Sequence, residues 1–181
     1  MSGPHDFDFL HGEWVVRHRR RTDFLDGDSP WEEFASTAAC RPLFDGAANI
    51  DEIDMPHLGA KGLTLRLFDP RTRQWSLHWS SSLSGRLFPP VIGGFGDGDE
   101  RGAAGLDRGV FYGDDVHDGQ EVRARFVWSG VSEAAARWEQ AFSPDGGRTW
   151  LTNWVMDFTR PGGTPPGAPV EAAPKAVCRT P

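Results

Sequence analysis

The chain predicts an all-β fold, an antiparallel up-and-down barrel of about nine or ten strands behind a short N-terminal helical turn, and three observations lead there. Apolar and polar residues alternate at period two in short runs separated by Gly, Pro and Asp, the pattern of an antiparallel sheet with one buried face. No long stripe at helical spacing competes with it. Aromatic content is heavy and skewed, eight Trp and twelve Phe against one Tyr, so the aromatic mass is placed for bulk and apolar faces. Finally, so many strands of one kind would leave bare edges in an open sheet, and closure removes them. A two-sheet sandwich is the alternative, because periodicity alone does not separate the two.

Taken in order, Asp6-Phe-Asp-Phe-Leu-His-Gly12 has acidic residues suited to a helix start and a Gly suited to its end, which predicts one helical turn capping the barrel. Strands follow at 13–21, 31–39 and 47–55. Between 63 and 68 the odd positions Leu63, Leu65 and Leu67 are apolar, and after a turn at 69–74 Trp75, Leu77 and Trp79 repeat the pattern. This predicts Leu67 opposite Trp75 and Leu65 opposite Leu77. The run 87–96 contains Pro89-Pro90 and reads as an edge, a bulge or a lip, and 109–113 as a short strand. A meander closes the series: Val122, Ala124, Phe126 and Trp128 share one face, Trp138, Gln140 and Phe142 the matching face of the next run, and Trp150, Thr152, Trp154, Met156 and Phe158 that of the last. Outer positions are charged, with Arg125 expected across from Glu139.

At 181 residues the chain fits one domain able to bury a sizeable core without disulfides or structural metal. The barrel is expected over residues 1–160. From 161 to 181 Pro, Gly and Ala replace the aromatics, which predicts a disordered tail. Cys40 and Cys178 lie too far apart in sequence and context to build a disulfide framework or a zinc spacing. The start carries no basic n-region or apolar h-region, and no stretch approaches the roughly 18 apolar residues of a membrane span, so a cytoplasmic location without membrane contact is expected. A net charge of −7 repels a phosphate backbone, which argues against nucleic acid as partner.

The segment Phe7-Asp-Phe-Leu-His-Gly-Glu-Trp14-Val-Val resembles the opening of the calycin superfamily, with Gly12 and Trp14 as its Gly-x-Trp pair. With Leu43–Ile53 and Ser143–Phe158, the chain is similar over residues 6–160 to a bacterial family of lipocalin-like proteins without an assigned function. The resemblance implies that Trp14 packs across the barrel floor. It also implies a range of activities: carriers of small apolar ligands, haem binders of the nitrobindin kind, and a few cyclases, decarboxylases and isomerases. No haem-ligand His motif or catalytic motif of those enzymes matches this chain, and no cofactor is expected. Ser143-Pro-Asp145-Gly-Gly147-Arg-Thr149-Trp150 matches the Asp-box pattern, whose single copy predicts a hairpin turn and no sugar chemistry.

Candidate site residues follow from the expected faces. On the first strand His18 and Arg20 share a face with Trp14 and Val16; if it points inward, Arg20 could pair with a ligand carboxylate or phenolate, whereas a strand end would let both reach solvent. Glu33 lies two residues beyond Trp31, and Asp51 and Glu52 lie on opposite faces, so one of the latter pair is inside and needs a cationic partner or a raised pKa. His78 faces away from Trp75 and Trp79 by strict alternation, and becomes an acid or base only if the Ser76 and Ser80 face is the inner one. Gln140 and Thr152, expected opposite one another, either bond each other or orient a ligand.

Metal and nucleophile sites read poorly. His5, Asp6, Asp8 and His11 suit capping better than a cage. The run 97–102 lacks oxygen ligands where calcium needs them, Gly93–Gly98 lacks dinucleotide-loop spacing, and no Gly-x-Ser-x-Gly elbow exists. The leading expectation is binding of a small apolar or aromatic molecule against Trp75, Trp79, Phe126, Trp128, Trp138 and Trp154, with Arg20, Gln140 and Thr152 as polar contacts. The second is an enzyme, a cyclase, isomerase or lyase, using His18 or His78 with Glu33, Asp51 or Glu52. The third is a structural domain with a filled core.

Overall fold

The computed structural model describes residues 2–96 and 108–163. Its ten strands are β1 (Gly12–Arg21), β2 (Trp31–Leu43), β3 (Ala48–Met55), β4 (Ala60–Asp69), β5 (Gln74–Ser81), β6 (Val91–Phe95), β7 (Gly109–His117), β8 (Gln120–Ser129), β9 (Ala135–Ser143) and β10 (Leu151–Thr159). Each strand pairs antiparallel with the next, and β10 pairs with β1, so the sheet is a closed barrel rather than a sandwich. Helix among the described residues is limited to 3-10 turns, Asp8–Leu10, Phe44–Gly46 and Pro56–Leu58; the first is the turn expected ahead of the barrel. Among the described residues no helix is long and apolar enough to cross a membrane. The tail from 164 onward, Cys178 and the segment 97–107 lie outside the described residues.

Turn chemistry sets the pairing. Asp118 and Gly119 both take positive φ between His117 and Gln120, the two-residue hairpin geometry that matches strand twist. In the Asp box, the Asp145 carboxylate accepts from Ser143 Oγ, from the backbone N–H of Arg148 and Thr149, and from Thr149 Oγ1. Those bonds hold its pKa well below the usual carboxylate range, and the expected hairpin forms. Pro89-Pro90 precedes β6, which pairs with β5 at only Trp75–Leu77, while Leu87 bridges to Ser80.

Three register expectations are corrected. Asp69 pairs with Gln74, so the turn holds four residues, and Thr64, Arg66 and Phe68 lie opposite Trp79, Leu77 and Trp75. The inner face of β4 therefore carries Thr64 and Arg66, and Leu63, Leu65 and Leu67 lie on the other face, half-buried. The leucine alternation was a stronger local signal than the turn length, yet the turn decides parity. Second, a bulge between Thr152 and Trp154 puts Thr152 opposite Ala141 and Trp154 opposite Gln140. Third, Arg125 lies opposite Ala141 and stacks over Trp150, while Glu139 faces Val127.

One end of the barrel is sealed by the N-terminal segment. Phe7 is fully buried among Trp75, Phe95, Phe111 and Trp128, with ring centroids 5.0 to 6.1 Å apart. Trp14 donates through Nε1 to Leu10 O at 2.8 Å and lies beneath the Arg160 guanidinium. Arg160 in turn donates to the carbonyls of Phe9, Glu13 and Glu133, tying the segment to the wall. At the other end the β1–β2 loop lays Phe24 against Arg20, His117, Phe142 and Trp154.

Candidate functional site

Between these two ends the strands leave a cavity lined by Trp79, Phe126, Trp128, Trp138, Trp154 and Met156, with Asp51, Thr64, Arg66 and Gln140 as its polar wall. The cavity volume is about 60 Å³. That is smaller than the apolar cavities of about 150 Å³ that hold benzene, so a one-ring ligand fits only if lining side chains give way. The interior is therefore largely packed. A more open cleft of about 670 Å³ at the rim, among Arg86, Phe88, Asp115 and Arg123, faces solvent and encloses nothing.

The polar wall is built across β3 and β4. Asn49 lies opposite Arg66 and Asp51 opposite Thr64, so a guanidinium on β4 reaches both side chains of its neighbour. Arg66 Nη1 donates to Asp51 Oδ1 and to Asn49 Oδ1, each at 3.0 Å. Arg66 is 3% and Asp51 7% exposed, so each charge needs the other. The guanidinium carbon lies 5.3 Å from the Phe7 ring centre and 5.8 Å from that of Trp128, which places cation–π attraction on two sides of it. On the far wall Gln140 Nε2 donates to Asn153 Oδ1 at 3.0 Å, and Asn153 Nδ2 donates to Phe24 O. The β10 bulge thus gives Asn153 the role expected of Thr152.

His18 is buried beside the cavity, stacked on Phe34 with ring centres 4.3 Å apart. Trp154 Nε1 donates to its Nδ1 at 3.0 Å, so the ring proton is on Nε2 and is donated to Ser36 Oγ at 2.7 Å. That tautomer has no lone pair free to take the Ser36 proton. Burial, and secondarily the Arg20 charge, push the His18 pKa down to about 4. Arg20 bonds Glu32 at 2.6 Å, and Glu32 also meets His57. Burial alone would raise the Glu32 carboxyl, but the hydrogen bonds from Arg20 and His57 hold it below its ordinary value.

The structure gathers some sequence candidates and scatters others. Trp79, Phe126, Trp128, Trp138, Gln140, Trp154 and Asp51 border the cavity. Trp75 is in the sealed end, donating to Gly3 O. Thr152 and Arg20 do not line the cavity. Glu33 is exposed with its carboxylate 4.0 Å from Arg19, Glu52 bonds Lys61, and His78 bonds Ser76 on the outer face. Those three cannot meet a molecule in the interior. Arg66, Asn49 and Asn153 went unrecognised in the sequence; counting the 70–73 turn as four residues would have placed Arg66 beside the tryptophans.

No protein-family model matches the chain, and no curated protein matches it. Among solved structures it is similar to a redesigned β-barrel, b11L5F_LGL, at 10% identity over 89% of this chain and 99% of that one, with a TM-score of 0.35. A likeness that distant carries no argument. The closed ten-strand antiparallel barrel is consistent with a calycin-like architecture.

Proposed function

We propose that the protein binds one small, largely aromatic molecule inside the barrel, as a lipocalin-like carrier or sensor. The single observation behind this reading is the enclosed space walled by Trp79, Phe126, Trp128, Trp138 and Trp154. Five aromatic faces supply broad apolar contact, and burying a ring against them is favourable by about 25 cal/mol per Å² removed from water. The enzyme reading has less behind it: His18 has both ring nitrogens engaged, while Glu33, Glu52 and His78 face away from the interior.

The test is titration with one-ring aromatics, beginning with ethylbenzene, followed through the indole N–H resonances of Trp79, Trp138 and Trp154. Saturable shifts in those resonances are expected, and they disappear in Thr64→Phe, which fills the space. Absence of shifts up to the solubility limit, or shifts unchanged by Thr64→Phe, overturns the proposal.

A further inference from the structure

We infer that the interior site selects ligands carrying a neutral oxygen acceptor, an aromatic ketone, aldehyde or amide, over both plain hydrocarbons and carboxylates. This deepens the binding reading above and rests on it. The polar groups left unsatisfied around Arg66 carry the inference. Arg66 Nε, Asn49 Nδ2 and Trp128 Nε1 are all buried and have no partner among the described residues. Arg66 joins them into one cluster, bonding Asn49 directly and lying against the Trp128 ring. Arg66 and Trp128 border the cavity, and Asn49 lies behind Arg66.

All three unsatisfied groups are N–H donors. The Asn49 assignment is fixed by its neighbour, because a guanidinium only donates and Oδ1 must therefore face it. What such a cluster lacks is an acceptor, and a hydrocarbon brings none, leaving each donor with its desolvation penalty. A ligand oxygen at Arg66 Nε or Trp128 Nε1, the two on residues that border the cavity, removes that donor's penalty.

Charge then discriminates among oxygens. The Arg66 guanidinium is already matched by the Asp51 carboxylate at 3.0 Å, so the pair is neutral as a unit. A ligand carboxylate would bring a second negative charge beside Asp51, with no second cation lining the cavity among the described residues. Uncompensated charge in a dry interior is far more costly than an unmet dipole. A carbonyl oxygen supplies the acceptor without the charge.

Three near-isosteric probes separate the possibilities: acetophenone, ethylbenzene and benzoate, each titrated at pH 7 and followed by calorimetry and the Trp indole resonances. Acetophenone is expected to bind about tenfold more tightly than ethylbenzene, the worth of one well-made hydrogen bond, with benzoate weakest. In Trp128→Phe, which keeps one aromatic ring and removes the indole N–H donor, the ratio of acetophenone to ethylbenzene affinity should shrink, whatever common change the smaller side chain makes to both. In Asp51→Asn the site gains a net positive charge, and benzoate should tighten by at least about tenfold. Equal binding of acetophenone and ethylbenzene, or benzoate as the tightest probe of the unmodified protein, overturns the inference while leaving binding itself intact. Should Asp51→Asn fail to fold, the Trp128→Phe comparison decides alone. If none of the three probes binds, the parent reading fails instead.

Discussion

Titration of His18 should dominate the acid sensitivity of the fold, and its size can be worked out. The ring is 2% exposed, stacked on Phe34, and accepts from Trp154 on Nδ1. Protonation would put a hydrogen where the Trp154 N–H points, and a charge beside Arg20. The native pKa is therefore lowered to about 4, against 6.5 in the unfolded chain. Between these two values the unfolded state binds more protons, so stability is complete above pH 6.5 and is lost as pH falls toward 4. Integrating the two titrations gives a loss of about 2 kcal/mol by pH 5 and about 3 kcal/mol by pH 4. Urea unfolding at pH 7, 5 and 4 measures the slope, and His18→Gln, which can still accept from Trp154, removes this residue's share. The stability of the unmodified protein should fall more steeply than that of the variant by those amounts. Parallel pH profiles for the two proteins would refute the assignment, as would a His18 imidazole that titrates near 6.5 by NMR.

Other consequences are simpler. In Gly62→Ala the new Cβ would lie 1.9 Å from the Trp79 ring, so the indole must leave its place; a loss of about 2 to 3 kcal/mol in thermal or urea unfolding is expected, together with loss of aromatic ligand binding. Asn153→Ala strips the partner from Gln140 Nε2 and from the Phe24 carbonyl, and should cost about 2 to 4 kcal/mol in the same assay. Cys40 is 6% exposed, and burial pushes its thiol pKa up to about 11, so in Cys178→Ser it should resist a thiol reagent at pH 8 until the protein unfolds.

The fold was legible because its strongest constraint repeats along the chain. Alternation in β8, β9 and the second half of β10 specifies which face is buried, and Trp128, Trp138, Trp154 and Phe158 lie on it as read. Where reading failed, the information sat in a turn or a bulge. Leu63, Leu65 and Leu67 imitate an inward face, and only the four-residue turn pairing Asp69 with Gln74 reveals that Arg66 is the inner residue. The bulge before Trp154 exchanges Thr152 for Asn153 by inserting one residue, a change that no alternation pattern announces. The ambiguity between Asp51 and Glu52 had the same origin. It is resolved by the cation each one meets, Arg66 inside and Lys61 outside.

These misread residues are also the ones that distinguish a binding interior from a filled one. A barrel selected for stability alone gains by placing well-packed apolar side chains where Arg66 and Asp51 stand, because exchanging a buried ion pair for hydrophobic residues is neutral or favourable by about 1 to 4 kcal/mol. On the opposite wall His18 bonds Ser36 and Trp154, Gln140 bonds Asn153, and Asn153 bonds Phe24, while Arg20 Nε beyond them, like Arg125 Nε and His11 Nε2, is buried with no partner among the described residues. Around Arg66 the deficit gathers in one cluster and is confined to donors. A structural network would have closed on itself, as the Gln140 side does. An interior that completes one polar network and leaves the opposite one short of acceptors, with the aromatic space between them, has the asymmetry that recognition of an oriented ligand requires.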